Sequence, residues 1–164
     1  MKPNILFVTS DQHNAKIMNH LGYDVSTPNF DRFHGEGVYF PNAYTQNPIC
    51  TPSRVSFLSG QYCHNHGYYG LNGRKPQLPT IFQHFKRFGY STALIGKSHC
   101  PENWVEEQTD VFLDPTGNCV GGVSEKYIDY LKTNGMYEAY RSPYNGPGSA
   151  CAVGTCSTIL GFVR

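Results

Sequence analysis

The sequence predicts an α/β fold with a mostly parallel sheet flanked by helices. Residues 5–9 form a short, continuous apolar run between a proline and an aspartate, the pattern of a strand buried on both faces of a parallel sheet. A second apolar run lies at residues 91–95, and segments with helix start and stop signals separate the two. Strands that alternate with helices are typical of βαβ units, whose ligands bind beyond the carboxyl ends of the strands.

The first predicted helix begins at Thr27 and Pro28, an N-cap residue followed by a proline suited to the first helical position. Phe30 and Phe33 fall on one face of this helix, and two glycines end it. Residues 38–42 then predict a further strand.

The middle of the chain predicts two more helices and a loop. A helix over residues 52–59 begins at a proline, and residues 62–73, rich in Gly, Asn, His and Tyr, predict a loop. The second helix opens at residues 78–80, carries phenylalanines on its apolar face and ends at Gly89. The strand at residues 91–95 follows it.

The alternation of strand and helix signals becomes weaker after Trp104. Residues 124–133 predict one amphipathic helix, and the segment 142–161 is dense in glycine, proline, serine and cysteine. A short apolar run at 159–163 follows, with no visible domain end. We therefore expect residues 1–164 to form one partial domain, truncated or frame-disrupted at its C-terminus.

Composition narrows the classes of partner. The 164 residues match the length of one domain, and 13 Lys plus Arg against 12 Asp plus Glu give a net charge of +1. Such a balance produces no field that would favour nucleic acid or an anionic membrane. We therefore expect neither as a partner, and partners must be inferred from the site.

The apolar run at residues 5–9 is too short for a signal-peptide core or a transmembrane span. We therefore expect a cytoplasmic protein, or a periplasmic or secreted one if a signal peptide has been removed. The six cysteines form no CxxC pair, and a cytoplasmic setting disfavours disulfides. All but one are expected to be ordinary thiols, and Cys151 would pair with Cys156 only in an exported protein.

The most informative stretch is residues 50–60, Cys-Thr-Pro-Ser-Arg-Val-Ser-Phe-Leu-Ser-Gly. A proline at the start of the helix leaves the unpaired N–H groups and the positive end of the helix dipole directed toward Cys50. Arg54 follows about one helical turn later, which allows its planar, permanently charged guanidinium to lie beside the thiol. The sequence therefore predicts an anion site next to Cys50.

This stretch resembles the sulfatase signature. Four further blocks resemble the same family in the same order: residues 3–12, 27–33, 40–44 and 96–99. The resemblance covers residues 2–101 and is weaker over residues 102–164. It implies a fold like that of alkaline phosphatase and the sulfatases, and an enzyme that hydrolyses sulfuric esters.

In that family a maturation enzyme oxidises the cysteine to formylglycine, an aldehyde whose hydrate is the nucleophile. The resemblance implies this chemistry at Cys50, with Arg54 orienting the formylglycine oxygens, Lys97 contacting the sulfate and His99 hydrogen-bonding the nucleophile. If the segment is extended, alternation turns the side chains of Lys97 and His99 the same way. The resemblance also implies a maturation enzyme as partner and a small-molecule or carbohydrate sulfate ester as substrate.

Asp11 and Gln12, at the end of the first predicted strand, carry hard oxygen ligands suited to Ca²⁺ or Mg²⁺. The resemblance implies that they hold a divalent cation, usually Ca²⁺ with Mg²⁺ or Mn²⁺ as alternatives, which also touches the formylglycine oxygen at Cys50. Many family members have Asp in place of Gln12, and this departure resembles the branch that contains phosphonate monoesterases and some arylsulfatases. The remaining ligands of the family lie beyond residue 164, and no such role is assigned to Asp110 or Asp114.

Other interpretations remain open. The alternatives are a hydrolase of phosphonate or phosphate esters, an inactive truncated fragment or pseudoenzyme, and a phosphatase that uses unmodified Cys50 as a thiolate nucleophile. His64 and His66 allow a zinc site, although pocket-lining or solvated histidines fit the same spacing. Tyr68 and Tyr69 are candidates for the mouth of the substrate pocket.

Overall fold

A four-stranded mixed sheet organises the larger of the two units into which the chain divides. The computed structural model describes residues 2–11, 13–14, 16–101, 103–114, 125–140 and 157–163. The larger unit comprises Met1–Asp11 and Gln46–Arg164, and the smaller unit comprises Gln12–Thr45. The strands are β1 (Ile5–Ser10), β2 (Ser91–Gly96), β3 (Val111–Leu113) and β4 (Ser157–Val163).

Six α-helices lie within the described residues. The smaller unit contains α1 (Pro28–Glu36), and the larger unit contains α2 (Cys50–Ser59), α3 (Cys63–His66), α4 (Ile81–Lys86), α5 (Glu125–Thr133) and α6 (Tyr137–Tyr140). Short 3₁₀ helices lie at Asn19–Leu21 and Glu106–Gln108. None of the described helices has the length and apolar character that a membrane span requires.

The order of the described strands is β1-β4-β2-β3. β2 and β3 are parallel, with Ile95 opposite Leu113, whereas β4 is antiparallel to both neighbours, with Leu160 opposite Phe7 and Leu94. Three strands therefore run in one direction, and β4 runs against them. The predicted α/β class is confirmed. The antiparallel strand was not predicted, because an apolar run indicates a strand but not its direction.

One face of the sheet forms the core together with α2, α4 and the turn that contains Trp104. Phe162 of β4 packs against the rings of Phe82 and Phe85, with ring centroids 5.5 and 4.5 Å away. Burying one such ring contributes about 1.5–3 kcal/mol. The buried core residues are Val55, Leu58, Tyr68, Phe82, Tyr90, Leu94, Cys100, Trp104, Val105, Leu160 and Phe162.

The opposite face of the sheet is apolar but exposed. Leu6 is 70 % exposed, and Val8, Ile95, Val111 and Leu113 are exposed beside it. The prediction that the first strand is buried on both faces is wrong. Its apolar residues identify a strand, but β1 lies at an edge of the described sheet and has cover on one face only.

The smaller unit is built around α1 and a polar network. Thr27 lies at the N-cap position of α1, as predicted, but its hydroxyl donates to the carboxylate of Asp31 at 3.3 Å. Nδ1 of His20 lies 3.3 Å from the same carboxylate, and the His20 ring stacks on His34 with a centroid distance of 4.2 Å. The start of α1 is therefore fixed by side-chain contacts to Asp31.

Residues 38–42 form irregular backbone and a turn instead of the predicted strand. Val38 is 80 % exposed. A strand needs a neighbouring strand to satisfy its backbone N–H and C=O groups, and the described residues of the smaller unit contain none. This prediction is wrong because apolar content does not supply a pairing partner.

The other predicted helices and the second predicted strand are confirmed with small shifts at their ends. α2 begins at Cys50 rather than after it, so that Pro52 is the third residue of the helix. α4 has Thr80 as its N-cap, whose hydroxyl accepts the N–H of Gln83 at 3.5 Å. β2 and α5 lie where they were predicted, with left-handed Gly135 after α5. The predicted loop after α2 contains the short α3.

Candidate active site

Three elements of the larger unit bring the predicted site residues together. The described members are Asp11 after β1, Cys50 and Arg54 in α2, and Lys97 and His99 after β2. Because β1 and β2 run in the same direction, their carboxyl ends lie at the same edge of the sheet. Gln12 lies outside the described residues.

Cys50 and His99 form a direct pair. Sγ of Cys50 is 2.9 Å from Nδ1 of His99, and both residues are partly buried. His99 has a φ of 46°, and it is the one described non-glycine residue in the left-handed region. The predicted extended alternation of Lys97 and His99 is therefore wrong, because the backbone turns at His99 and its ring meets the thiol.

The surroundings of His99 favour its neutral form. Burial lowers the pKa of His99, and Lys97 and Arg54 lower it further, against smaller opposing effects of Asp11 and Asp114. At neutral pH the ring is therefore uncharged, and Nδ1 either accepts the thiol proton or donates its own, according to the tautomer. The order of these effects indicates that positive charge outweighs negative charge around the ring.

Two buried cations converge on one carboxylate beside Cys50. Arg54 is 5 % exposed and Lys97 is 7 % exposed. Nζ of Lys97 contacts Oδ2 of Asp11, and Nη2 of Arg54 lies 3.6 Å from the same oxygen. Nη1 of Arg54 also donates to the carbonyl of Lys97 at 2.5 Å. Buried cations need such partners, and their concentration at this edge of the sheet attracts anions.

Asp11 is the one predicted oxygen ligand that the structure describes. Its Oδ2 is engaged by the two cations, Lys97 and Arg54. The described residues contain no group of three His, Cys, Asp or Glu side chains that could hold a metal ion. Ca²⁺ takes about six to eight oxygen ligands, so the described residues alone do not fit a complete Ca²⁺ site.

Cys50 differs from the other described cysteines in its surroundings. Cys63 and Cys100 are buried, Cys50 is partly exposed, and all three are free thiols. Burial raises the pKa of Cys100 to about 12, so that it stays protonated at neutral pH. The three remaining cysteines lie outside the described residues, and the pairing of Cys151 with Cys156 stays a prediction.

The two histidines of the predicted loop make separate contacts. Nε2 of His66 is 2.9 Å from the hydroxyl of Ser56, and Nδ1 accepts the N–H of Tyr68 at 3.1 Å. His64 is exposed and stacks on a neighbouring tyrosine ring. Tyr68 is a core residue, which contradicts the prediction that it lines the mouth of a pocket, whereas Tyr69 is exposed.

Asp114, for which the sequence predicts no role, has its carboxylate at the site. Oδ2 of Asp114 accepts the N–H of Ser98, between Lys97 and His99, at 2.9 Å. Asp114 directly follows β3, a strand of three residues that the sequence pattern did not reveal. An aspartate after an apolar run is the signal that identified Asp11, and the same signal at β3 identifies Asp114.

A family model described as Sulfatase matches residues 3–158 of the chain. An N-acetylglucosamine-6-O-sulfatase from Bacteroides thetaiotaomicron is 37% identical over 103 residues, which cover 60% of this chain and 18% of the relative. The uncharacterized sulfatase YidJ from Escherichia coli is 32% identical over 148 residues, 82% of this chain and 29% of the relative. A choline-sulfatase from Rhizobium meliloti is 37% identical over 100 residues, 60% of this chain and 20% of the relative. The chain spans less than a third of these curated relatives, and no solved structure matches it.

Proposed function

Because the chain belongs to the sulfatase family, we propose that it is the N-terminal catalytic portion of a hydrolase that cleaves sulfuric esters. The observation that carries the proposal is the position of Cys50 beside His99 and the buried cations Arg54 and Lys97. A sulfate ester is an anion, and further negative charge develops on the departing oxygen during hydrolysis. Cations that are already fixed in place stabilise that charge with little reorganisation.

The proposed nucleophile derives from Cys50. A maturation enzyme with a two-electron oxidant would convert Cys50 to formylglycine, replacing the C–S bond by a C=O bond and releasing the sulfur as sulfide. The hydrate of this aldehyde presents an oxygen nucleophile. His99 is placed to hydrogen-bond that position, because its ring already contacts Sγ at 2.9 Å. Its neutral state at pH 7 allows Nδ1 to hold or take up a proton.

The two buried cations have different proposed roles. Arg54 lies in the same helix as Cys50, and its guanidinium is fixed by the carbonyl of Lys97 and the carboxylate of Asp11, so it orients the oxygens at position 50. Lys97 contacts the sulfate group. Its ammonium is held in place by Asp11, which keeps a buried charge at the site when no substrate is bound.

The proposed substrate is a carbohydrate or small-molecule sulfate ester. The relatives named above include one named for an N-acetylglucosamine sulfate and one named for choline sulfate. These names cover both substrate classes. In the proposal, Lys97 contacts the sulfate group that the two classes share.

A divalent cation is part of the proposal, with Asp11 and Gln12 as two of its ligands and Ca²⁺, Mg²⁺ or Mn²⁺ as the ion. When bound, such a cation supplies positive charge that polarises an oxygen. Asp11 pairs with Lys97 and Arg54 in the structure, so cation binding needs further oxygen ligands beyond the described residues. Calorimetric titration of the chain and of Asp11→Ala with Ca²⁺ tests this part. Equal affinities would exclude Asp11 as a ligand.

A second candidate function is favoured by the contact between Cys50 and His99. A thiol beside an imidazole is the arrangement of a cysteine nucleophile, and a buried cationic site also suits a phosphate ester. In this alternative, Cys50 stays unmodified, its thiolate attacks phosphorus as the alcohol leaves, and water then cleaves the S–P bond to release phosphate.

Ester hydrolysis distinguishes the two functions. We expect the chain produced with a formylglycine-generating enzyme to release sulfate from an aryl sulfate, and Cys50→Ala or omission of that enzyme to abolish the release. Release of phosphate from an aryl phosphate by the unmatured chain would favour the thiolate instead. If the matured chain is inactive but gains activity on addition of the remaining part of a full-length relative, this chain is an inactive fragment of a sulfatase. Inactivity in both cases would contradict the proposal.

A further inference from the structure

The peptide group between Lys97 and Ser98 is held from both sides. Its carbonyl accepts from Nη1 of Arg54 at 2.5 Å, and its N–H donates to Oδ2 of Asp114 at 2.9 Å. Ser98 is itself buried. A planar peptide group that is bonded through its oxygen to a cation and through its nitrogen to a carboxylate has little freedom to rotate.

The orientation of this peptide group sets the direction of the chain on both sides of it. Lys97 lies before it, and His99 follows Ser98 with a φ of 46° and contacts Cys50. A histidine in the left-handed region is retained only where its surroundings hold it there. If the peptide group were released, the backbone would relax toward an ordinary φ, and the ring would leave the sulfur.

We infer that Asp114 is a positioning residue, which acts through the Lys97–Ser98 peptide group to hold His99 against Cys50. The inference rests on the proposed use of Cys50 as the precursor of the nucleophile. Arg54, on the other side of the peptide group, also pairs with the carboxylate of Asp11. Removal of the Arg54 guanidinium therefore changes the site in more than one way. Asp114 also raises the pKa of His99 through its charge, so Asp114→Asn, which removes the charge and keeps an oxygen acceptor for Ser98, separates the two effects of Asp114→Ala.

Asp110, at the other end of β3, provides a matched control. β3 pairs with β2 in parallel, with Leu113 opposite Ile95, so Asp114 lies just past the paired end. Oδ2 of Asp110 accepts the N–H of Thr92 at 2.8 Å, the same kind of bond to a residue of the β2 segment. Asp110 also accepts from the hydroxyl of Thr92 at 3.0 Å and pairs with Lys86 at 2.7 Å, and we expect loss of these contacts to weaken the start of β2 without moving its site end.

The test is the rate at which iodoacetamide alkylates Cys50 in the folded chain, followed by mass spectrometry of the tryptic peptide 33–54. We expect Asp114→Ala to change this rate at least about threefold and to bring it to the rate of His99→Ala, because both variants lose the contact between ring and sulfur. Asp114→Asn keeps an oxygen acceptor for Ser98 and is expected to stay within about twofold of the parent chain. In a His99→Ala background, Asp114→Ala is expected to have no further effect.

Asp110→Ala is expected to leave the alkylation rate of Cys50 unchanged. The inference is overturned if Asp110→Ala acts as strongly as Asp114→Ala, if the effects of Asp114→Ala and His99→Ala add, or if Asp114→Asn fails to preserve the parent rate. If Asp114→Ala does not fold, hydrogen exchange of the Ser98 amide decides. Protection of this amide in the parent chain and in Asp114→Asn supports the inference, and exchange at the rate of an unstructured amide overturns it. Neither readout needs formylglycine or ester hydrolysis, so failure here is distinct from failure of the proposed function.

Discussion

Helices α1 and α2 carry similar local signals but differ in burial. Each has a proline in its first turn and a glycine directly after its last residue. α1 buries none of its residues, whereas α2 buries six of ten, Arg54 among them. Local sequence therefore selects where a helix forms, and tertiary contacts decide whether it holds reactive groups in a fixed position.

The difference in burial between α2 and α1 is expected to have its largest effect when an apolar side chain is truncated. Leu58→Ala removes a buried leucine of α2, and we expect it to lower the free energy of unfolding by about 2–5 kcal/mol. Phe33→Ala is the matched change in α1. It removes a ring that is 63 % exposed and is expected to cost less than about 0.5 kcal/mol. Urea denaturation measures both losses, and equal losses would contradict the role assigned to burial.

Much of the fold could be predicted because it depends on local signals. Proline starts, glycine stops and apolar runs placed α1, α2 and β2 close to their observed positions. The direction of β4, the exposed outer face of β1 and the unpaired residues 38–42 could not be predicted. Each of them depends on which distant segment lies alongside, and a single sequence does not contain that information locally.

The candidate site could also be predicted only in part from the sequence. The chemical types of Cys50, Arg54 and Lys97, and their places near strand ends and a helix start, were readable from the sequence. Their bonding partners were not, because the convergence of both cations on Asp11 depends on positions fixed by the sheet. The left-handed backbone at His99 was also missed, because the enrichment of histidine among the few non-glycine residues at positive φ is too weak a signal to locate one.

A change of arginine to lysine keeps the charge and tests how much the hydrogen-bond geometry of the guanidinium contributes in α2 and in α1. Arg54 donates to the carbonyl of Lys97 and pairs with Asp11, two contacts that the compact ammonium of a lysine does not reproduce. We expect Arg54→Lys to lower the free energy of unfolding by about 1.5–3 kcal/mol. Arg32→Lys in α1 is the control. Arg32 is exposed over the ring of Phe33, and its replacement should stay within about 0.5 kcal/mol. A neutral Arg54→Lys in thermal or urea unfolding would refute a structural role for the guanidinium.

The two regions should also lose stability in different pH ranges. Burial, together with Lys97 and Arg54, holds the pKa of His99 below 6.5, so its neutral form stabilises the fold above that pH and the contribution is lost as pH falls through the folded pKa. Burial raises the pKa of Asp31 at α1, but hydrogen bonds led by that of Asn19 outweigh this effect and hold the pKa below 3.8. The Asp31 contribution is therefore present above pH 3.8 and is lost only at lower pH.

Unfolding free energies of variants across pH check this separation. His99→Gln is expected to reduce the loss of stability of the chain as pH falls below 6.5. Asp31→Asn should leave that range unchanged and alter the curve only below about pH 4. If the parent chain and His99→Gln lose stability identically as pH falls, the fold does not hold the His99 ring in its neutral form.

Conversion of Cys50 to formylglycine is tested directly by the mass of the tryptic peptide 33–54 after the chain is produced together with a formylglycine-generating enzyme. This peptide contains Cys50, and the next peptide, 55–74, contains Cys63 as an internal control. We predict a loss of about 18 Da in the first peptide, as expected when a cysteine becomes formylglycine, and no loss in the second. An unmodified Cys50 in cells that mature another sulfatase would contradict the proposed formylglycine nucleophile.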